Sequence, residues 1–292
     1  MKRGITIGAA AMGGVALGAA AVTAVANVRW TRATARATRR LAEQPTVERV
    51  PARAPTFSPE QLAGLPAPVA RYFTFALTPG QPLIRRARVR WEGEFRLRPG
   101  GSWRPFTAVQ DFMARPPGFV WDATIRVAPL LPARVRDAYV AGEGVMLGKI
   151  AALVPVADQR GTPEMAAGAL SRYLGEAVWL PTALLPSAGV SWTPIDERTA
   201  RATLTDGGTT VTADFHFGPR GEIVGASMTR YRDVKGRGVL TPFEAHISGD
   251  YRRVQGMMIP TAGEVAWVLP EGPFAYWRGR LVSAEYEPAT SR

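Results

Sequence analysis

The chain contains no cysteine, which excludes disulfides, thiolate metal ligands and a cysteine nucleophile. Histidine is nearly absent: only His216 and His246 occur. Each falls on the polar side of an alternating stretch, beside Asp214 and Glu244 respectively. A zinc site needs three or four converging ligands, so neither histidine implies a metal. No G-x-S-x-G elbow offers a serine nucleophile. The one glycine-dense stretch, "GAAAMGGVALG", follows no strand and lacks the Lys-Ser/Thr of a phosphate loop. Nothing in these absences calls for a cofactor. Lysine is scarce as well, 3 residues against 33 arginines. In a chain rich in Ala, Gly and Pro, that ratio reads as a compositional bias.

The net charge of +12 suggests a nucleic-acid partner until it is divided along the chain. Residues 1–54 hold nine basic and two acidic groups, leaving 27 basic against 22 acidic in the remaining 238. A body this close to balance lacks the basic footprint of a nucleic-acid binder. The positive excess lies instead around an uncharged run from Gly4 to Val28. As a helix rising 1.5 Å per residue, that run spans about 37 Å, enough for a hydrocarbon core of about 30 Å. Two readings of it are carried forward. An uncleaved anchor fits the five arginines in "NVRWTRATARATRR" that follow it. A cleaved signal fits Ala24-Val25-Ala26, an A-x-A site at a suitable distance. The expected organisation is an anchor or signal with a basic flank over residues 1–43, a proline-containing linker over 44–57, and one domain over 58–288. A chain starting near Thr56 is then expected to fold by itself.

The body reads as mainly β. In "RARVRWEGEFRLR", residues 86–98, every even position is charged and the odd positions are Ala, Val, Trp, Gly, Phe and Leu. Strict period two is the mark of an antiparallel strand with one solvated face. The charged row therefore needs no ligand, and Glu92 and Glu94 interrupt it. Phe119, Trp121, Ala123 and Ile125 alternate in the same way, as do Val211, Ala213, Phe215 and Phe217. Asp206-Gly207-Gly208 marks a hairpin turn. About ten or eleven strands follow from such runs, with turn spacing typical of a sandwich or barrel, and no parallel βαβ rhythm is present. Helical exceptions lie at Ser58–Leu77, broken by proline into two short pieces, and at Pro163–Leu185.

At "YRRVQGMMIPTAGEVAW", Tyr251 to Trp267, the sequence resembles the lipoprotein-carrier and lipoprotein-sorting superfamily. Residues 60–286 as a whole, including "EAVWLPTALLP" and "GPFAYWRGR", also resemble a bacterial family whose function is unknown. The second resemblance brings no activity or catalytic residue. The first implies a fold, a large curved antiparallel half-barrel with helices covering its concave face, and a greasy ligand cavity within it.

Within that fold, the segment "YLGEAVWLPTALLP" sets Tyr173, Trp179, Leu180, Leu184 and Leu185 around a single acid, Glu176. It reads as a helical cover over the sheet. The expected ligand-lining residues are Phe112, Met113, Trp121, Met146, Glu176, Trp179 and Trp267, an apolar set with one polar group, as lipid-like guests require. The expected function is membrane-tethered, non-catalytic binding of a hydrophobic ligand, with the membrane and a lipid as partners. Two alternatives stand beside it. One is a structural domain with a filled core. The other is an enzyme, which requires Asp122, Glu176 and a histidine to converge.

Overall fold

The period-two runs build thirteen antiparallel strands among the described residues, two or three more than the sequence suggests. A computed structural model describes residues 3–45, 55–129 and 131–289, the side chains of residues 3–17, 19 and 249 excepted. The strands are β1 (Ile84–Phe95), β2 (Arg104–Met113), β3 (Gly118–Ala128), β4 (Leu131–Val140), β5 (Glu143–Ile150), β6 (Val154–Arg160), β7 (Val190–Asp196), β8 (Thr199–Asp206), β9 (Thr209–Phe217), β10 (Ile223–Val234), β11 (Arg237–Val254), β12 (Met257–Leu269) and β13 (Gly272–Pro288). Three α-helices accompany them: α1 (Arg3–Ala42), α2 (Ala67–Ala76) and α3 (Pro163–Glu176).

All thirteen strands form one curled sheet in the order β6-β5-β4-β3-β2-β1-β13-β12-β11-β10-β9-β8-β7. Two meanders thus run outward from a central pairing of the first and last strands. The edge strands β6 and β7 lie in mid-sequence, and each contains a proline, Pro155 and Pro194. Proline cannot donate to a ladder and is tolerated at an edge, where it also discourages pairing with another chain.

The expected alternation of residues 86–98 holds where the strand is paired. Ala87, Val89 and Trp91 are buried, Arg88, Arg90 and Glu92 are exposed, and Phe95 is half-buried near the strand end. The charged row is matched from its neighbours: Arg280 donates to Glu92 at 2.7 Å and Arg278 to Glu94 at 2.5 Å. Arg86 reaches Asp111 of β2 at 2.5 Å and Glu287 of β13 at 3.1 Å. The exposed pairs of Glu92, Glu94 and Glu287 contribute at most about 1 kcal/mol each, whereas Asp111 is buried. They set register on the wet face rather than hold the fold.

α3 leaves edge strand β6, crosses the concave face, and continues through short 3-10 turns at Ala177–Trp179, Pro181–Leu184 and Pro186–Ala188 to β7. Thr162 caps it by accepting from Met165 N at 3.2 Å. Gly144 of β5 permits the close approach of the helix, since a Cβ there would lie 2.1 Å from the Met165 carbonyl oxygen. Beneath the helix and its 3-10 extension, Leu170, Tyr173, Leu174, Val178, Leu180 and Leu184 are fully or almost fully buried against the sheet. α2 adds Val69, Tyr72 and Phe73 to the same core.

The outer face has a cover the sequence reading did not foresee. Ala26, Trp30 and Leu41 are buried, while Arg29, Arg32, Arg36, Arg39 and Arg40 are exposed. Residues at 26, 30, 34, 37 and 41 form one helical stripe of α1, and it packs on β2–β5. Trp30 Nε1 donates to Asp122 Oδ1 at 2.7 Å. Arg136 donates to the Trp30 carbonyl at 3.0 Å and to Thr34, with its guanidinium 4.6 Å from the Trp30 ring centroid. Leu41 joins Met113, Val120, Ala138 and Val140. Gly118 makes room for it, since a Cβ there would sit 2.7 Å from Leu41 Cδ1. The expected basic flank is therefore one side of a docked amphipathic helix.

Among the described residues no helix is long and apolar enough to cross a membrane. Much of the expected span, residues 4–17, lies outside those whose side chains are described, as do residues 46–54 of the expected linker. Of the rest of that linker, Phe57 is buried in the main core and its amide donates to Gln81 O at 2.8 Å.

Candidate functional site

A strand presents alternate residues to the concave face, and α3 spans that face from β5 to β9 and β10. Where the cover leaves the sheet, a cavity of about 850 Å³ remains. It falls within the range of roughly 300–1,000 Å³ usual for small-molecule sites. Five of the seven expected residues line it: Trp121 from β3, Met146 from β5, Glu176 from the end of α3, Trp179 from the following turn and Trp267 from β12. Phe112 does not reach it. Its side chain is fully buried between Phe119 and Tyr173, as part of the packed core. Met113 is a correction of a different kind. It follows Phe112 on β2 and must point to the opposite face, where it packs against Leu41 of α1.

The wall is aromatic. Behind the lining residues Trp179 and Trp277, Trp91 meets the first edge to face with centroids 4.7 Å apart and the second at 5.7 Å. Trp267 stacks on Tyr276 at 6.0 Å with an interplanar angle of 16°, and Phe243 meets Trp267 at 5.2 Å. Trp179 is anchored through Nε1 to the Pro260 carbonyl at 3.0 Å. Met146, Met165 and Met228 complete the apolar lining with side chains that adapt to irregular shapes.

Crossing this wall is a chain of polar contacts. Trp91 Nε1 donates to Gln110 Oε1 at 3.1 Å, and Gln110 Nε2 donates to Glu176 Oε2 at 2.6 Å. Arg172 of α3 donates to Glu176 Oε1 at 2.8 Å and to Asp137 Oδ2 at 2.6 Å. The Arg172 guanidinium also lies 5.0 Å from the Phe119 ring and 4.9 Å from the Trp121 ring. Burial alone favours its neutral form, but the Glu176 and Asp137 charges outweigh burial and hold it protonated above the usual arginine range. Neither carboxylate is left without a partner. Removing one member of such a buried cluster typically costs about 3–5 kcal/mol.

On the other wall, Arg230 of β10 lies 4.9 Å from the Phe243 ring and 5.4 Å from the Trp267 ring, and donates to the Gly168 carbonyl of α3 at 2.9 Å. No carboxylate of the described residues forms an ion pair with it. The sequence reading missed Asp137, Arg172 and Arg230. The signal for Asp137 and Arg230 is parity: Asp137 shares a face with Val135 and Tyr139, and Arg230 with Ala226 and Met228.

Asp122, Glu176 and a histidine do not converge. Asp122 sits on the outer face, bonded to Trp30 and to Arg134 Nη2 at 2.9 Å, with the sheet between it and Glu176. His216 bonds to Ser227 Oγ at 3.0 Å on the outer face, and His246 lies 3.5 Å from Glu244 with most of its side chain exposed. Among the described residues no group of three or more His, Cys, Asp or Glu is placed to hold a metal.

A curled antiparallel half-barrel, closed over by one helix and lined with aromatic residues, is the architecture the lipoprotein-carrier resemblance implies. Residues 63–286 match the family of unknown function DUF6920, and the chain belongs to that family. Among solved structures the chain is similar to a DUF1329 family protein from Desulfovibrio piger. That likeness has a TM-score of 0.37 and 11% identity, covering 70% of this chain and 86% of that one. No curated protein matches the sequence.

Proposed function

We propose that the protein binds a hydrophobic, lipid-like ligand in the cavity under α3, without catalysing a reaction on it, and does so tethered to a membrane. The observation that carries this reading is the lining: Trp121, Trp179 and Trp267 with Met146 border about 850 Å³ of space on an otherwise packed concave face. Apolar surface left wet is unfavourable by about 25 cal/mol per Å², and a guest with a long apolar portion removes that cost. The inner carboxylates already neutralise Arg172, which suits a wall that orients a ligand more than one that transfers protons.

The tether is supported from the outer side. Val22, Val25 and Val28 of α1 are 56%, 52% and 49% exposed, and Val154 and Val156 of the neighbouring edge strand are 60% and 62% exposed. Ala157, Asp158 and Arg160 of β6 border both the cavity and the groove beside α1. A lipid surface against this corner would lie next to the cavity. Fractionation of full-length protein tests it, and recovery wholly in the soluble fraction without N-terminal cleavage rejects the tether.

For the ligand, delipidated protein is melted against a panel of long-chain fatty acids, alcohols and lysophospholipids. A binder raises the melting temperature in proportion to RT ln(1 + [L]/Kd) and perturbs the tryptophan fluorescence. Melts and fluorescence unmoved across the panel favour the filled structural domain instead.

A further inference from the structure

The cavity wall carries an asymmetry in its polar atoms. Five side-chain nitrogens on residues that border it are buried without a protein hydrogen-bond partner: Arg96 Nε, Trp121 Nε1, Arg230 Nε, Arg232 Nε and Trp277 Nε1. Every one is a donor and none is an acceptor. These nitrogens are themselves covered by protein, and three of the five belong to arginines, which bring positive charge to the wall. Trp121 is only 3% exposed, so bulk water does not serve its N–H freely.

Charge points the same way. Arg230 and Arg232 stand two apart on β10, on the same face, and both border the cavity. Among the described residues neither forms an ion pair; of the carboxylates bordering the cavity, Asp137 and Glu176 are held by Arg172 and Asp158 by Arg160, while Glu164, Asp233 and Glu264 form no ion pair. The Gly168 carbonyl and the rings of Phe243 and Trp267 hold the Arg230 guanidinium at the wall. A fixed, partly desolvated cation without a counter-ion is a ready site for a carboxylate or phosphate oxygen.

We propose that the ligand of this cavity is an anionic amphiphile, its acidic head group held by Arg230 with Arg232 beside it and its chain laid along the aromatic wall. This rests on the lipid-binding reading above and specifies the head group.

Binding of palmitate, hexadecyl phosphate, hexadecanol and acetate to delipidated full-length protein tests it, followed by tryptophan fluorescence or calorimetry at pH 8. The two acids are expected to bind at least about tenfold more tightly than the alcohol, the usual size of a charge-assisted hydrogen bond. Arg230→Met is expected to bring the acids down to the affinity of hexadecanol measured on the same variant, while Arg230→Lys keeps part of the preference. If Arg230→Met does not fold, Arg232→Met is expected to narrow the preference, and the comparison of acid with alcohol needs no variant at all. Equal binding of palmitate and hexadecanol by the wild-type protein overturns the head-group proposal while leaving the cavity reading intact. A preference that survives Arg230→Met also overturns it. Binding of acetate as tight as palmitate overturns it too, because the apolar chain then contributes nothing. If none of the four binds, the cavity reading itself fails, and the head-group proposal falls with it.

Discussion

Tyr139 of β4 donates its phenolic hydrogen to Oδ2 of Asp206, 2.7 Å away, and so joins two hairpins near opposite edges of the sheet. In strand order β4 is third from one edge and β8, which ends at Asp206, is second from the other. Curling of the sheet is what lets them meet. The Tyr139 ring is fully buried, and burial first, then the Asp206 bond, hold its hydroxyl far above the usual tyrosine range.

The clasp makes the first prediction. Tyr139→Phe keeps the ring and deletes one bond to a charged group, so it should lower stability by about 1–3 kcal/mol in a denaturant titration. Because the folded-state value is raised, the contribution is fully present below the unfolded value of about 10 and is lost only as pH rises beyond it. The gap between wild type and variant should therefore be constant from pH 7 to 9. Additive losses in the Tyr139→Phe, Asp206→Ala cycle would show that the two residues do not interact.

Face assignment on β1 gives a second. Trp91 is 2% exposed and packs on Trp179 and Trp277, so Trp91→Ala should cost about 3–5 kcal/mol. Arg90 is exposed beside it, and Arg90→Ala should change stability by less than about 0.5 kcal/mol. Similar losses for both would contradict the register of this strand.

A third concerns α1. A chain starting at Thr56 lacks Trp30 and Leu41, and so uncovers Met113, Val120 and Ala138, takes Trp30 from Asp122, and takes Trp30 and Thr34 from Arg136. Loss of one large buried side chain alone costs about 2–5 kcal/mol. The shortened protein should melt lower than full-length protein and bind more of a hydrophobic dye. Identical melting curves would show that α1 does not stabilise the sheet.

Legibility followed the polarity of individual positions. β1, β3 and β9 were readable because each puts apolar residues on one face and polar residues on the other. β4 was not, since Asp137 faces inward and Arg134 and Arg136 are covered by α1. The same inversion hid half of the site: tryptophans and methionines announce a cavity wall, whereas inward-facing charges read as solvent. Trp30 and Leu41 of α1 were lost among the arginines around them, although their spacing is that of a helix stripe. Met113 was misplaced by ignoring the parity that Phe112 beside it already fixes.

Pairing of the first strand with the last has a consequence for biosynthesis. β1 emerges from the ribosome nearly 180 residues before β13, its partner at the sheet centre, by the count from Phe95 to Gly272. During that interval the meander from β1 to β6 can form from local hairpins, but its β1 margin stays open. Non-local pairing of this kind folds slowly, and an open strand margin invites association with other nascent chains. Arg86, Arg88, Arg90, Glu92 and Glu94 lie along that margin, and charge on an unpaired margin opposes such association. The row of charges on the finished surface thus also acts as a guard on the unfinished one.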